Sequence, residues 1–206
     1  DVVLEDNSPT PEYSKKLAAH AQEWRHAHPK RKFEIIYSGE TDPRARQRLV
    51  NGRNAIREKF LKGKYDYFFS LEQDVIPPPK TIEWLLETQK DIVGGAYYNK
   101  TREQTLTVMA GIWGSEEEKQ NKLVRSMGFL NLFPTRITEV AYIGLGCTLI
   151  SRKVLEKIPF RYDPTQLASD DIYFSKDARE KGFNVYMHTG VLCTHLLNNA
   201  LKQTKY

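Results

Sequence analysis

Short apolar runs and stretches of helical periodicity take turns along the first half of the chain. The opening run "VVLED" ends in the polar turn "NSPTPE". In "EYSKKLAAHAQEWRHA" the apolar positions Leu17, Ala21 and Trp24 recur at helical spacing, which predicts a helix. "KFEIIYSG" reads as a second strand closed by Gly39, and "RARQRLVNGRNAIREKFLKG" as a helix stopped by Gly63. "YDYFFSLE" predicts a third strand. "PKTIEWLLETQ" predicts a helix with proline tolerated in its first turn, and "DIVGGAYY" a fourth strand. Over about the first 95 residues strand and helix alternate, the signature of a parallel sheet covered by helices. Beyond that the character changes. "TLTVMAGIW" and "EVAYIGLGCTLISR" predict further strands around a polar loop "GSEEEKQNK". "SRKVLEKI" and "SDDIYFSKDAREKGF" predict helices, the latter stopped by Gly182, and "NVYMHTGVLCTHL" a last strand or strand pair. The tail "NNALKQTKY" carries no period.

In open α/β sheets ligands bind outside the carboxyl ends of the strands. Three predicted strand ends carry polar groups: Asp6 and Asn7, then Ser38, then Glu72, Gln73 and Asp74. Alternate residues of a strand face one side, so an extended backbone through Gln73 would point Glu72 and Asp74 the same way. Two hard oxygen donors on one side suit Mg2+ or Mn2+, which bind one or two carboxylates together with substrate phosphates. The bland alternative is a polar strand end entering solvent. Pro77, Pro78 and Pro79 cannot continue a central strand and stiffen its exit.

Other positions carry chemistry as well. On a helical wheel Arg53 falls on the apolar stripe of Leu49, Ile56 and Phe60. A buried guanidinium needs a partner, either a structural carboxylate or a ligand phosphate. The surrounding basic run, Arg44 to Lys64, is a solvated helix face or an anion-attracting rim. In "ASDDIYF", Ser169 or Asp170 suits a helix cap, and a carboxylate there could instead serve as a general base. Gly144 and Gly146 permit either a bend or the close approach of a ligand. His195 follows an apolar run as a structural residue or as a nitrogen ligand to a metal held by Asp74. Trp113 suits core packing or a substrate platform.

Composition narrows the partners. The 206 residues fit one domain with a substantial core. No apolar run approaches the ~20 residues of a membrane span, and no signal-peptide pattern is present. A net charge of +5 and a pI near 9.1 favour anionic partners. Cys147 and Cys193 have no zinc spacing and read as reduced core thiols, which fits a cytoplasmic setting.

Taken in order, these stretches resemble the nucleotide-diphospho-sugar glycosyltransferases of the GT-A fold, most closely the inverting family-two type. "DVVLEDNSPTPE" is similar to the family's second strand and its acidic turn. "GRNAIREKF" is similar to its Arg-Asn helix, "YFFSLEQDVIPP" to its DxD segment, and "DIVGGAYY" to the strand after the next helix. "YIGLGCTLISRKVLEKI" resembles the acceptor-side strand and helix, and "SDDIYFSKDAREKGFNVYM" the acidic pair with its helix. The resemblance implies a Rossmann-like α/β fold with a mostly parallel central sheet flanked by helices and a smaller acceptor-side sheet. It implies a single catalytic domain over 1–206, nucleotide-sugar-binding to about residue 100 and acceptor-binding beyond. Asp74, Glu72 and His195 would hold Mn2+ or Mg2+. Asp6, Asn7, Arg53, Glu72 and Gln73 would bind the nucleotide sugar. Asp171 would be the general base, with Asp170 its neighbour. Two departures stand out: Glu72 replaces the first Asp of DxD, and the chain opens on what resembles the family's second strand.

The expected reaction is metal-dependent, hexosyltransferase-like transfer, with inversion, from a nucleotide-diphosphate sugar to a hydroxyl of a glycan, lipid or protein acceptor. No nucleic-acid partner is expected, and the setting is cytoplasmic with peripheral membrane contact open. The rival readings are a metal-dependent nucleotidyltransferase and a non-enzymatic basic domain that binds nucleic acid or polysaccharide. The first typically has a glycine- and lysine-rich loop near the N-terminus, which is not seen here.

Overall fold

The computed structural model describes residues 1–39, 41–100, 106–166 and 168–196. The aperiodic tail lies outside them. The chain forms two compact units. One comprises Asp1–Lys64 with Pro159–Asp170. The other comprises Tyr65–Ile158 with the chain from Asp171 onward.

The first unit is built on a strand–helix–strand repeat. β1 (Val2–Asp6) and β2 (Phe33–Tyr37) pair in parallel, Val2 opposite Phe33 through Asp6 opposite Tyr37. Parallel neighbours need a crossover, and α1 (Glu12–Ala27) supplies it. Its predicted apolar stripe is the inner face: Ala21 is fully buried, and the Trp24 ring meets Phe33 edge-on at 5.5 Å. α2 (Ala45–Lys62) ends at Gly63, as its sequence requires. The stripe expected along α2 is shifted: Val50, Gly52, Arg53 and Phe60 are buried, while Leu49 is exposed. Gly52 is there because the Glu5 carboxylate of β1 occupies the space a side chain would fill. Asn54 clamps the returning segment, donating to the Phe160 carbonyl at 2.8 Å and accepting from the Phe160 amide at 3.0 Å.

The second unit follows a mixed sheet. In chain order its elements are β3 (Tyr67–Leu71), β4 (Val75–Ile76), α3 (Thr81–Glu87), β5 (Ile92–Ala96), β6 (Tyr98–Lys100), β7 (Leu106–Val108), β8 (Ala110–Ile112), α4 (Glu116–Gln120), β9 (Arg125–Ser126), a 3-10 turn (Phe129–Leu132), β10 (Ile137–Glu139), β11 (Tyr142–Ile143), β12 (Cys147–Ser151), α5 (Arg152–Lys157), α6 (Asp170–Glu180, its first residue belonging to the other unit), β13 (Tyr186–Leu192) and β14 (Thr194–His195). The "GSEEEKQNK" stretch, expected as loop, holds the short helix α4. Ser115 caps it by accepting from the Glu118 amide, and three glutamates fill its first turn.

The main sheet runs β10-β13-β5-β12-β3. β5 and β13 are parallel, β12 is antiparallel to both β5 and β3, and β10 is antiparallel to β13. β3, β5 and β13 therefore all point one way, with β10 and β12 opposed. Smaller sheets, β11-β8-β9 and β6-β7, lie outside this one. The fold is thus mixed α/β, with a central sheet, flanking helices and smaller sheets.

All five residues of β5 are buried, as a strand covered on both faces must be. Val93, Leu149, Val191 and Leu85 share its core with both cysteines. Cys147 and Cys193 come together there as free thiols. Their mutual hydrogen bond, reinforced by burial, pushes the Cys193 thiol above its usual range. Gly94 leaves no room for a side chain: a Cβ would stand 2.6 Å from Ile143 Cδ1 and from Thr148 Oγ1, and 2.7 Å from the Cys147 carbonyl oxygen. That carbonyl belongs to a paired strand and cannot move cheaply. Gly94→Ala is therefore expected to lower the unfolding free energy by about 1–3 kcal/mol, read as a lower urea midpoint; an unchanged midpoint would contradict the packing described.

Candidate functional site

Because β3, β5 and β13 share a direction, their carboxyl ends gather at one edge of the sheet. Three segments leave from that edge: Glu72 to Asp74 after β3, Tyr97 and Tyr98 after β5, and Cys193 to His195 after β13. Gly144 to Gly146 enter at the same edge on the way into β12.

The "EQD" segment is not extended. Val75 N–H donates to the Glu72 carbonyl at 3.1 Å, so the backbone turns through Gln73 and Asp74. The alternation that would have aimed both carboxylates one way is lost. Glu72 turns toward Gly146: its amide donates to the Gly146 carbonyl at 3.1 Å, and its Oε2 lies 2.9 Å from where a Cβ on Gly146 would be. The hydroxyl of buried Tyr97 occupies the rest of that space and accepts from the Gly146 amide at 2.9 Å. Gly144 and Gly146 therefore make room for Tyr97.

Asp74 goes elsewhere. After the turn β4 pairs with β14, Val75 opposite His195, and Leu196 N–H donates to the Asp74 carbonyl at 2.7 Å. This short ladder sets Asp74 Oδ2 3.3 Å from His195 Nε2. The other ring nitrogen, Nδ1, lies 2.6 Å from the Tyr98 carbonyl oxygen, which can only accept, so Nδ1 carries the proton. A neutral imidazole held in this tautomer turns a lone pair toward a carboxylate oxygen. Two acceptors at that distance require a cation between them, a proton or a metal ion. A backbone carbonyl fixing the distal nitrogen is also how metal-ligating histidines are oriented. The imidazole is largely buried, its edge against the Tyr97 ring at 5.4 Å, while about half of the Asp74 side chain is exposed.

Among the described residues no group of three or more His, Cys, Asp or Glu side chains is placed to hold a metal ion. Glu72 is accordingly not gathered with Asp74 and His195. The pair fits an ion that draws its remaining ligands from substrate phosphates and water, the usual condition of Mg2+ and Mn2+ in phosphate chemistry. It does not fit a closed structural site.

Asp171 lies in the first turn of α6 and is buried; its Oδ1 accepts from the Ile172 amide at 2.8 Å. α6 is tied to β11 by the Ile143 amide, which donates to Ser175 Oγ at 3.3 Å. Tyr142, in the same strand, is a neighbour that sequence reasoning missed. Burial, and then the Asp171 charge, pushes its phenol above the usual range. Its only sequence signal was its place two residues before the Gly-Leu-Gly bend. Trp113 is half-buried, and Lys119 and Arg179 approach its ring at 5.3 and 5.5 Å.

In the first unit, Arg53 Nε donates to Asp170 Oδ2 at 2.8 Å, and both side chains are about nine-tenths buried. The partner left open by the sequence thus includes a carboxylate. Asp6 is buried at the end of β1. Its Oδ1 accepts from the Ser8 amide at 3.0 Å and its Oδ2 from the Ser14 hydroxyl at 2.5 Å. Burial raises its pKa, but the hydrogen bonds from Ser14 and Ser8 outweigh that and hold it below the ordinary value. Asn7, beside it, is half-buried. Glu5, which sequence reasoning passed over, is raised by burial while accepting from Ser38. The basic run of α2 is partly answered by acids from outside the helix: Arg44 chelates Asp42 at 2.9 and 2.7 Å, holding that carboxyl at about 2, and Lys59 meets Glu34 at 2.6 Å.

No protein-family model matches the chain, and no curated protein matches it in sequence. Solved structures do match in shape. A197 from STIV superposes with a TM-score of 0.54 at 20% identity, over 96% of this chain and 85% of that one. GalNAc-T7, crystallised with UDP, GalNAc and Mn2+, superposes with a TM-score of 0.59 at 12% identity, over 95% of this chain and 37% of that one. At these identities the likeness is one of fold, and that fold is GT-A.

Two predictions follow from the first unit. Removing one partner of a buried ion pair leaves the other charge unpaired, so Arg53→Ala should cost roughly 3–5 kcal/mol of stability. Arg53→Met combined with Asp170→Leu should recover most of that in urea unfolding. The depressed Asp6 carboxyl stabilises the fold above its unfolded pKa of about 3.9, and that stability is lost as pH falls through the lower folded value. Ser14→Ala should raise the folded value and flatten this acid dependence. Identical stability–pH curves for variant and native protein below pH ~4 would refute it.

Proposed function

We propose that the chain is a metal-dependent glycosyltransferase that moves a sugar from a nucleotide-diphosphate sugar to an acceptor hydroxyl. One observation carries the reading: at the carboxyl edge of a GT-A sheet, Asp74 and the oriented His195 face each other at 3.3 Å, a pair that a divalent ion could bridge. The fold likeness to GalNAc-T7, which was crystallised with a nucleotide and Mn2+, supports it.

In this reading Asp74 and His195 hold Mn2+ or Mg2+. When bound, the ion offsets the charge of the leaving diphosphate as a Lewis acid. Glu72 and Gln73, in the turn beside Asp74, serve the donor rather than the ion. Asp6, Asn7 and Arg53 are assigned to the nucleotide, with Arg53 Nε bonded to Asp170. Asp170 is paired with Arg53, and the base role is assigned to Asp171. Asp171 takes the acceptor's proton while the acceptor oxygen bonds to the anomeric carbon. The bond from that carbon to the diphosphate oxygen breaks, and the electron pair leaves with the nucleotide. Attack from the face opposite the leaving group inverts the anomeric centre.

The test begins with a thermal-shift screen of nucleotide-diphosphate sugars with and without Mn2+, since ligands that bind the folded state raise its apparent stability. The donor that responds is then used with two variants. Asp171→Asn should keep Mn2+-dependent donor binding but lose about 100-fold or more in transfer rate. Asp74→Ala should lose the Mn2+ dependence of donor binding. Near-native transfer by the first would overturn the base assignment, and unchanged metal dependence in the second would overturn the metal site.

A further inference from the structure

We infer that the segment from Lys122 to Ile137 is a docking surface for an anionic lipid bilayer. The inference does not depend on the sugar-transfer reading. Apolar side chains here are unusually exposed: Leu130 by 82%, Phe129 by 55% and Phe133 by 54%, with Leu123 at 58% and Val124 at 44% earlier in the segment. Exposed apolar residues scattered singly are normal, but Phe129, Leu130 and Phe133 are exposed on one short turn, with the two rings in contact, and adjoining exposed apolar residues mark an interaction site.

The cluster is also stiff. Phe129 and Phe133 meet edge-on at 5.2 Å with Leu130 between them in sequence. The 3-10 turn beneath is closed by the Gly128 amide on Asn131 Oδ1, the Asn131 amide on the Gly128 carbonyl and the Phe133 amide on the Leu130 carbonyl. Arg136 then spreads its guanidinium over three carbonyls, donating to Asn131 at 3.0 Å, Phe133 at 2.9 Å and Pro134 at 3.2 Å. Leu132 and Met127 anchor the turn from below, fully buried. Large apolar side chains held out on a rigid base lose little further freedom when they insert, which favours binding.

Charge selects the occupant. From Asn121 to Thr138 the chain has three cations, Lys122, Arg125 and Arg136, and no acid. Arg125 is neutralised by Glu118, whereas the guanidinium of Arg136 is placed, among the described residues, on the carbonyl oxygens of Asn131, Phe133 and Pro134 beside the aromatic pair. Aromatic and aliphatic tips with adjacent cations are the composition that seats on a membrane interface, rings at headgroup level and cations among anionic lipids. The patch also adjoins the candidate site: the Tyr98 ring lies 6.2 Å from Phe129, and the Tyr98 carbonyl orients His195. A chain seated this way would hold the Asp74–His195 pair near the lipid surface.

The experiment is co-sedimentation of the whole chain with vesicles of phosphatidylcholine alone and of phosphatidylcholine mixed with phosphatidylglycerol. Binding is expected to the mixed vesicles and to weaken with salt. Phe129→Ser combined with Leu130→Ser, both exposed and so compatible with folding, should lower partitioning by about 100-fold with an unchanged thermal midpoint. Phe129→Trp provides an independent measurement: its emission should shift to the blue on mixed vesicles. Absence of vesicle binding, equal partitioning of the serine variant and the native chain, or an unshifted tryptophan would overturn the inference. So would concentration-dependent self-association that the serine variant abolishes in the absence of lipid, which would assign the patch to a second copy of the chain.

Discussion

The second unit depends on β5. It is buried along its whole length, with β13 parallel on one side and β12 antiparallel on the other. A strand in that position has no solvent-facing side and must carry apolar or very small residues on both. "IVGGA" meets the condition, and its glycines let side chains from neighbouring elements close over it. With β5 fixed, the directions of β3 and β13 follow from their pairings, and three strand ends are delivered to one edge. The chemistry of the unit is collected there by topology, since residues 72–74, 97–98 and 193–195 are remote in sequence.

At that edge, hydrogen bonding orients the groups. A backbone carbonyl decides which nitrogen of His195 carries the proton, and a two-residue ladder decides where Asp74 lies. Their mutual placement, at 3.3 Å, comes from these backbone contacts and not from their positions in sequence. Glu72 shows the same principle in the other direction: two positions from Asp74, it is turned to Gly146 and Tyr97 by a single backbone hydrogen bond.

The elements were largely legible. Periodicity located α1 to its ends, and glycines marked the stops of α2 and α6, because helix faces and C-terminal caps are written locally. Short-range reading failed where elements are small or irregular. α4 was hidden in a charged stretch, and the region from β9 to β10 has no period to read. Arg53 was legible as an oddity, a cation on a buried helix face, whereas Asp170, more than a hundred residues away, could not be singled out as its partner.

By itself the sequence determined the order and type of the main elements, the acidic end of β3, the acidic start of α6 and the net positive charge. These are properties of neighbours along the chain. Only the tertiary structure decided that Glu72 and Asp74 part, that His195 meets Asp74, that Tyr97 fills the space above two glycines, and that Phe129, Leu130 and Phe133 stand outward on a braced turn. Each of these depends on pairings between distant segments, and a one-residue change in such a pairing redirects a side chain completely. Residue spacing along the chain carries no record of that register.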